Sequence, residues 1–277
     1  MTEFEHIIVD DPATGVSRIT LNRPDSRNAL NNILRREIYS RLEANDRNPD
    51  VRVTIVRGAG KAFCAGYDLK ANLGQDQPFH TSSGDGNWSR HVVDGFFRVW
   101  DLAKPVIAQV HGYCLAGGTE LATSCDLVYV AEDAKIGYPV VRSMSPPDNQ
   151  FFPHLMGLRR AMEMMLTGDA ISGVEAVEYG FANRAFPAEE LDSAVITIAA
   201  RIAQVPTDLQ QMNKRAVHRQ LELMGMRAAI RSGTEIQALA FHTKSTQAHF
   251  KELAGGLTEA LSKRDEKFGD YRTGDDH

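Results

Sequence analysis

The chain has 277 residues, 43% hydrophobic and 24% charged, the make-up of a globular protein large enough to bury a core without staples. Its 31 Lys and Arg against 36 Asp and Glu leave a net charge of −5, which excludes a general nucleic-acid binder with a concentrated basic face. Three cysteines without metal-type spacing read as reduced thiols, and "MTEFEHIIVDD" lacks the basic and apolar regions of a leader; with no membrane-length apolar run, the expected location is cytoplasmic.

The first segments, "HIIVD" and "VSRITL", flank the turn-rich "DPATG" and predict a hairpin. Leu30, Leu34, Ile38 and Leu42 then recur every four residues among polar neighbours, which predicts an amphipathic helix. "VRVTIV" (51–56), "PVIAQV" (105–110) and "LVYVA" (127–131) are compact apolar runs, each expected as a buried strand of a mostly parallel sheet flanked by helices. Residues 70–90, rich in Gly, Ser, Asp and Gln, lose all periodicity and predict a long loop, either functional or a plain surface excursion. From about residue 187 the pattern is helical throughout, with Pro206 a joint before a helical tail, and the closing "YRTGDDH" reads as frayed.

Two glycine-bearing turns carry the chemistry. In "HGYCLAGGTELATSCDL" the pair Gly117–Gly118 precedes helix-forming residues, so unpaired N–H groups and the positive end of the helix dipole face outward there. Glu120 is one turn along from Gly117 and on the same face, placed to transfer a proton beside whatever those N–H groups hold. The plain alternative is a favourable first-turn acid. A second element, "GAGKAFCAGYDL", follows the strand 51–56 and offers Ala65–Gly66 before an apparent helical turn. N–H groups from two such turns can converge on one oxygen, which is how an oxyanion hole is built.

The segments "LNRPDSRNAL", "VRGAGKAFCAGYDL", "KPVIAQVHGYCLAGGTELATSCDLVYVAEDAKIGYP" and "AMEMMLTGDAISGVEAVEYGFANRAFP" together resemble the crotonase superfamily, the enoyl-CoA hydratase/isomerase group, from about residue 5 to 270. The resemblance implies an α/β fold: a ClpP-like spiral core of ββα units (1–205) and a C-terminal helical trimerisation region (206–277). It implies an acyl-CoA substrate, a homotrimer or a hexamer formed as a dimer of trimers, and no metal or cofactor beyond the coenzyme A of the substrate. Ala65 and Gly117 match the oxyanion-hole amides. Arg23, Arg27 and the backbone around Ala65 and Tyr67 match the CoA contacts, and Lys263 and Lys267 resemble basic residues that reach a phosphate. Tyr138, Val140 and Trp88 fall where an acyl pocket is expected.

Glu120 falls on the first of the two glutamates used by hydratases of this family, but the second position, after the proline of "IGYPVVRSM", is Val140. Valine carries no proton, so a two-glutamate mechanism is excluded. Asp148, in "SMSPPDNQFF", resembles the aspartate of certain family isomerases and of a hydroxyacyl-CoA hydrolase, and is the expected substitute. Its alternative role is a helix N-cap. Tyr67, Tyr138, His80 and His91 are further candidates; Phe79, Trp88, Phe96, Phe97 and Trp100 are expected to shape a roomy acyl pocket, with a core helix face the equal alternative for Phe96, Phe97 and Trp100. The expected activity is hydration or dehydration of an enoyl-CoA. Double-bond isomerisation, hydrolysis, decarboxylation or C–C cleavage of a specialised acyl-CoA, and non-catalytic acyl-CoA binding are the alternatives.

Overall fold

The computed structural model describes residues 4–148, 151–269 and 271. The hairpin is β1 (Ile7–Ala13) and β2 (Val16–Leu21), antiparallel, with β1 running through Pro12 to a tight turn at Thr14 and Gly15. Helix α1 (Asn32–Arg47) is started by the Asn31 side chain, which accepts from the Leu34 N–H at 2.8 Å, and it buries Leu34, Ile38 and Leu42.

The three apolar runs become β3 (Val53–Gly58), β5 (Val106–Val110) and β7 (Leu127–Ala131), joined in parallel in a six-stranded sheet of order β1-β2-β3-β5-β7-β9, where β9 is Arg184–Phe186. Burial on both faces explains why these strands are apolar throughout and not alternating. After each long strand the chain adds a short one to a second parallel sheet: β4 (Ala62–Cys64), β6 (Tyr113–Leu115) and β8 (Lys135–Gly137). The strand pairs are followed in turn by α2 (Asn87–Trp100), α3 (Gly117–Ser124) and, after a 3-10 turn at Pro139–Arg142, α4 (Phe152–Thr167). These are the repeated ββα units, stacked as turns of a spiral.

Gly118 shows how closely the turns stack. A Cβ there would lie 2.2 Å from the Cys64 carbonyl oxygen, so only glycine lets α3 start against β4.

Helices α5 (Gly173–Tyr179) and α6 (Leu191–Ile202) complete the core, α6 lying across the large sheet. Pro206 separates α6 from α7 (Thr207–Leu223), as expected. The tail continues through α8 (Met226–Ala240), α9 (Lys244–Gly255) and α10 (Leu257–Glu266), and these fold back onto the core. Ser89 Oγ on α2 donates to the Thr234 carbonyl on α8 at 3.1 Å, and Thr246 Oγ1 on α9 donates to the Met144 carbonyl at 2.6 Å. Arg142 and Asp265, both buried, pair at 3.3 Å. Of the closing segment, Tyr271 is buried with its hydroxyl on the Gly168 carbonyl, and residues 272–277 lie outside the described residues. The expected loop 70–90 is shorter than predicted, because α2 begins at Asn87 and already carries Trp88. Among the described residues no helix is long and apolar enough to cross a membrane.

Candidate active site

At the end of β6 the chain turns through Ala116, a non-glycine residue at φ 51°, held by its N–H on the Gly137 carbonyl at 3.0 Å. That strained turn opens α3 and places Glu120 one helical turn in, fully buried. Three donors from three parts of the spiral meet its carboxylate. The Tyr67 hydroxyl, beyond β4, donates to Oε2 at 3.1 Å. The Tyr138 hydroxyl, beyond β8, donates to Oε1 at 2.9 Å, and so does the Asp148 backbone N–H at 2.9 Å. Tyr67, Tyr138 and Asp148 line a cavity of about 310 Å³, and Glu120 lies directly behind them. Glu120 and Asp148 are thus brought together, as their types predicted, but in two layers.

Burial pushes the Asp148 carboxyl well above the usual carboxylate range, and the charge of Glu120 pushes it further; the Trp88 indole and the Arg35 guanidinium pull less strongly the other way. Among the described residues its Oδ1, which is buried, has no hydrogen-bond partner. Burial and Glu120 likewise raise both phenols, Tyr67 and Tyr138, so they stay protonated and donate. Glu120 thus accepts three hydrogen bonds from behind the wall, while burial favours the protonated form of the Asp148 carboxyl in front of it, an arrangement suited to acid–base chemistry.

Arg35, which sequence reasoning missed, is buried on α1. Its Nη1 donates to Asn32 Oδ1 at 2.9 Å while Nε and Nη2 have no partner. The guanidinium lies 5.9 Å from the Tyr67 ring and 5.4 Å from the Trp88 ring, and those two rings meet edge to face at 4.9 Å. A buried positive charge therefore backs the aromatic pair that frames the carboxyls. Its only signal in the sequence was an arginine beside the apolar stripe of α1.

The backbone amides differ from expectation by two residues. The Ala65 N–H points away, donating to the Arg27 carbonyl at 3.0 Å, so it is not available as an oxyanion donor. The segment after Gly66 bridges to Leu30 and forms a turn, not the expected helical turn. Among the described residues, the N–H groups of Tyr67 and Gly117 have no acceptor. The two turns abut, since a Cβ built on Gly66 would lie 3.3 Å from the Gly117 nitrogen. Tyr67 and Gly117 thus replace Ala65 and Gly117 as the candidate pair; Ala65 still lines the cavity through other atoms.

Trp88, Tyr138 and Val140 all line the cavity. Arg27 lines it too, its guanidinium 5.2 Å from the Tyr113 ring centroid. Arg23 does not: it pairs with Asp68 at 2.8 Å and bonds the Ala29 carbonyl, bracing the turn before α1. Lys263 pairs with Glu252 at 2.6 Å and Lys267 lies over the Phe268 ring; neither is on the wall, whereas Arg264 between them is. Side-chain direction on α10 made that choice, and composition could not.

His80 is exposed. His91 is stacked on Phe79 at 4.2 Å, with Nδ1 on Thr81 Oγ1, and burial lowers it to about 4. Phe96, Phe97 and Trp100 are core residues, and none of them lines the cavity. The three cysteines are buried, and desolvation lifts the Cys64 thiol to about 12, which disfavours a thiolate nucleophile.

With this geometry in view, comparison with known proteins is specific. A family model described as enoyl-CoA hydratase/isomerase matches residues 11–271. A crystal structure of an enoyl-CoA hydratase from Mycobacterium smegmatis is similar at 33% identity and TM-score 0.88, covering 97% of this chain and 96% of that one. A crystal structure of an enoyl-CoA hydratase/isomerase from Xanthobacter autotrophicus Py2 is similar at 34% identity and TM-score 0.87, covering 96% of this chain and 99% of that one. A mitochondrial enoyl-CoA hydratase of Pongo abelii is 31% identical, covering 96% of this chain and 89% of its own.

Proposed function

From the premise that the chain belongs to the enoyl-CoA hydratase/isomerase family and has its crotonase fold, we propose that it hydrates a 2-enoyl-CoA and, in reverse, dehydrates a 3-hydroxyacyl-CoA. The observation that carries this is the pair of carboxyls in two layers: Asp148 in the cavity wall, and Glu120 behind it on the Tyr138 hydroxyl. Water gives its oxygen to Cβ. Its proton passes to the Tyr138 phenol as that phenol passes its own to Glu120, and Asp148 gives its proton to Cα. Charge developing on the thioester oxygen is received by the N–H groups of Tyr67 and Gly117. Glu120 then returns a proton to neighbouring Asp148, and the site is restored with water added across the double bond.

Arg27 and Arg264 are the basic residues on the wall and the candidates for the phosphates of coenzyme A, Arg264 being already paired with Asp265 through Nε at 2.8 Å and Nη2 at 2.7 Å. The exposed Leu158 and Leu166 on α4, 72% and 77% accessible, and Leu223 at the end of α7, 77% accessible, favour assembly into trimers or hexamers. In this reading the tail helices α7–α10 serve that assembly, and α8–α10 also close the cavity.

The test is a panel of 2-enoyl- and 3-enoyl-CoA esters followed by the absorbance of the conjugated thioester. Hydration removes that absorbance and isomerisation creates it. Val140 favours isomerisation as the second reading, because moving a proton between the α and γ carbons uses the Asp148–Glu120 pair without a second glutamate. Absorbance gained from 3-enoyl esters and unchanged with 2-enoyl esters would select it. Release of free thiol would select hydrolysis.

A further inference from the structure

Helix α8 brings one polar side chain into the cavity that the chemistry above leaves unused. Gln237 is 1% exposed and lines the cavity. Its carboxamide makes no hydrogen bond within the described protein, and Oε1 is buried with no partner. Its placement is fixed, because the Ser89 hydroxyl of α2 holds the Thr234 carbonyl one turn earlier on the same helix face. The same cavity wall carries Trp88, Met144, Phe241 and Phe250, and its lining is mostly apolar.

A buried carboxamide offers two donors and two acceptor lone pairs and is costly to leave unmatched. Solvent entering the free cavity would satisfy it. An acyl chain made only of hydrocarbon expels that water and leaves the amide bare, whereas an oxygen at the same depth restores the bond. A site built this way rejects the analogue that lacks the polar group, more sharply than an apolar pocket can reject one that carries it.

We propose that Gln237 is the specificity determinant of the acyl site, and that the preferred acyl group carries a hydroxyl or carbonyl oxygen away from the reacting carbons. This rests on the acyl-CoA assignment made above and narrows it to a substrate class.

Binding of saturated thioesters tests it without turnover. Calorimetry with hexanoyl-CoA and with its hydroxy analogues, substituted at each carbon from the fourth to the sixth, is expected to show one analogue bound roughly ten- to a hundredfold more tightly than the parent. Gln237→Leu is expected to abolish that preference while still binding hexanoyl-CoA. Gln237→Asn keeps the carboxamide on a shorter arm and serves if the leucine variant does not fold; it is expected to weaken the preference or to move it to another carbon. Equal binding of parent and analogues by the unaltered protein, or a preference that survives in Gln237→Leu, overturns the role of Gln237 and leaves the acyl-CoA assignment standing. No binding of any thioester overturns both.

Discussion

Gly117 is the position where one added carbon separates packing from chemistry. A Cβ there would lie 2.7 Å from Tyr67 Cε2 and 3.0 Å from Cδ2 and Cζ. Carbon atoms rest at about 3.5–4.0 Å, so in Gly117→Ala the ring must retreat by about 1 Å. It is not free to do so cheaply, being held edge to face by Trp88 and backed by Arg35. A retreat of that size carries the phenol away from its 3.1 Å bond to Glu120 and drags the Tyr67 N–H off its alignment with Gly117. Overpacking costs about 1–3 kcal/mol, and the better helix propensity of alanine returns up to about 1 kcal/mol, so the net loss of stability is modest. Misplacing a catalytic group by about 1 Å costs about a hundredfold in turnover. Gly117→Ala should therefore melt a few degrees lower at most, yet turn over an enoyl-CoA about a hundredfold more slowly. Gly118→Ala is the contrast: its Cβ meets the Cys64 carbonyl, which cannot move, and the variant should fail to fold. Turnover at the level of the unaltered protein in a folded Gly117→Ala would refute the assignment of Tyr67 to the site.

Three further outcomes are expected. Glu120→Gln should lower turnover by two or more orders of magnitude while leaving the dissociation constant for a CoA ester nearly unchanged; full activity would remove Glu120 from the proton path. Asp148→Asn should lower turnover by about 10²–10⁴-fold yet raise the melting temperature at neutral pH. The sign follows from the raised carboxyl: the native state holds a proton that the unfolded chain has lost, so stability falls as pH rises from the ordinary aspartate value through the raised one. Melting curves against pH should show that fall in the parent and a shallower one in the variant. Arg35→Met removes a charge that pulls Asp148 down, so the basic limb of the turnover–pH profile should move to higher pH; a limb that moves down, or not at all, contradicts the placement of Arg35.

Much of the frame was legible because it is written in local pattern. The runs at 105–110 and 127–131 could only be buried strands, and Glu120 was found by its distance from Gly117 along a helix. Asp148 was singled out by the resemblance of its place after Pro147 to the aspartate of certain family isomerases and a hydrolase, though the burial that raises its carboxyl is reported by no local pattern. What failed depends on partners distant in the chain. The Ala65 amide is spent on the Arg27 carbonyl, 38 residues upstream, which moves the available donor to Tyr67. Lys263 is neutralised by Glu252 from the preceding helix. Of the two readings open for Phe96, Phe97 and Trp100, the core face holds, because α2 is pressed between the spiral and α8. Gln237 looked like an ordinary polar residue of a helical tail until that tail was seen to fold over the cavity.

The crossing of α8 over the cavity divides labour along the chain. The side chains proposed above to handle protons stand before residue 149, while Gln237 and Phe241, on the wall of the same cavity, arrive almost ninety positions later. On the proposal made for Gln237, substitutions in that late stretch retune which acyl chains are admitted without touching the side chains that act on them.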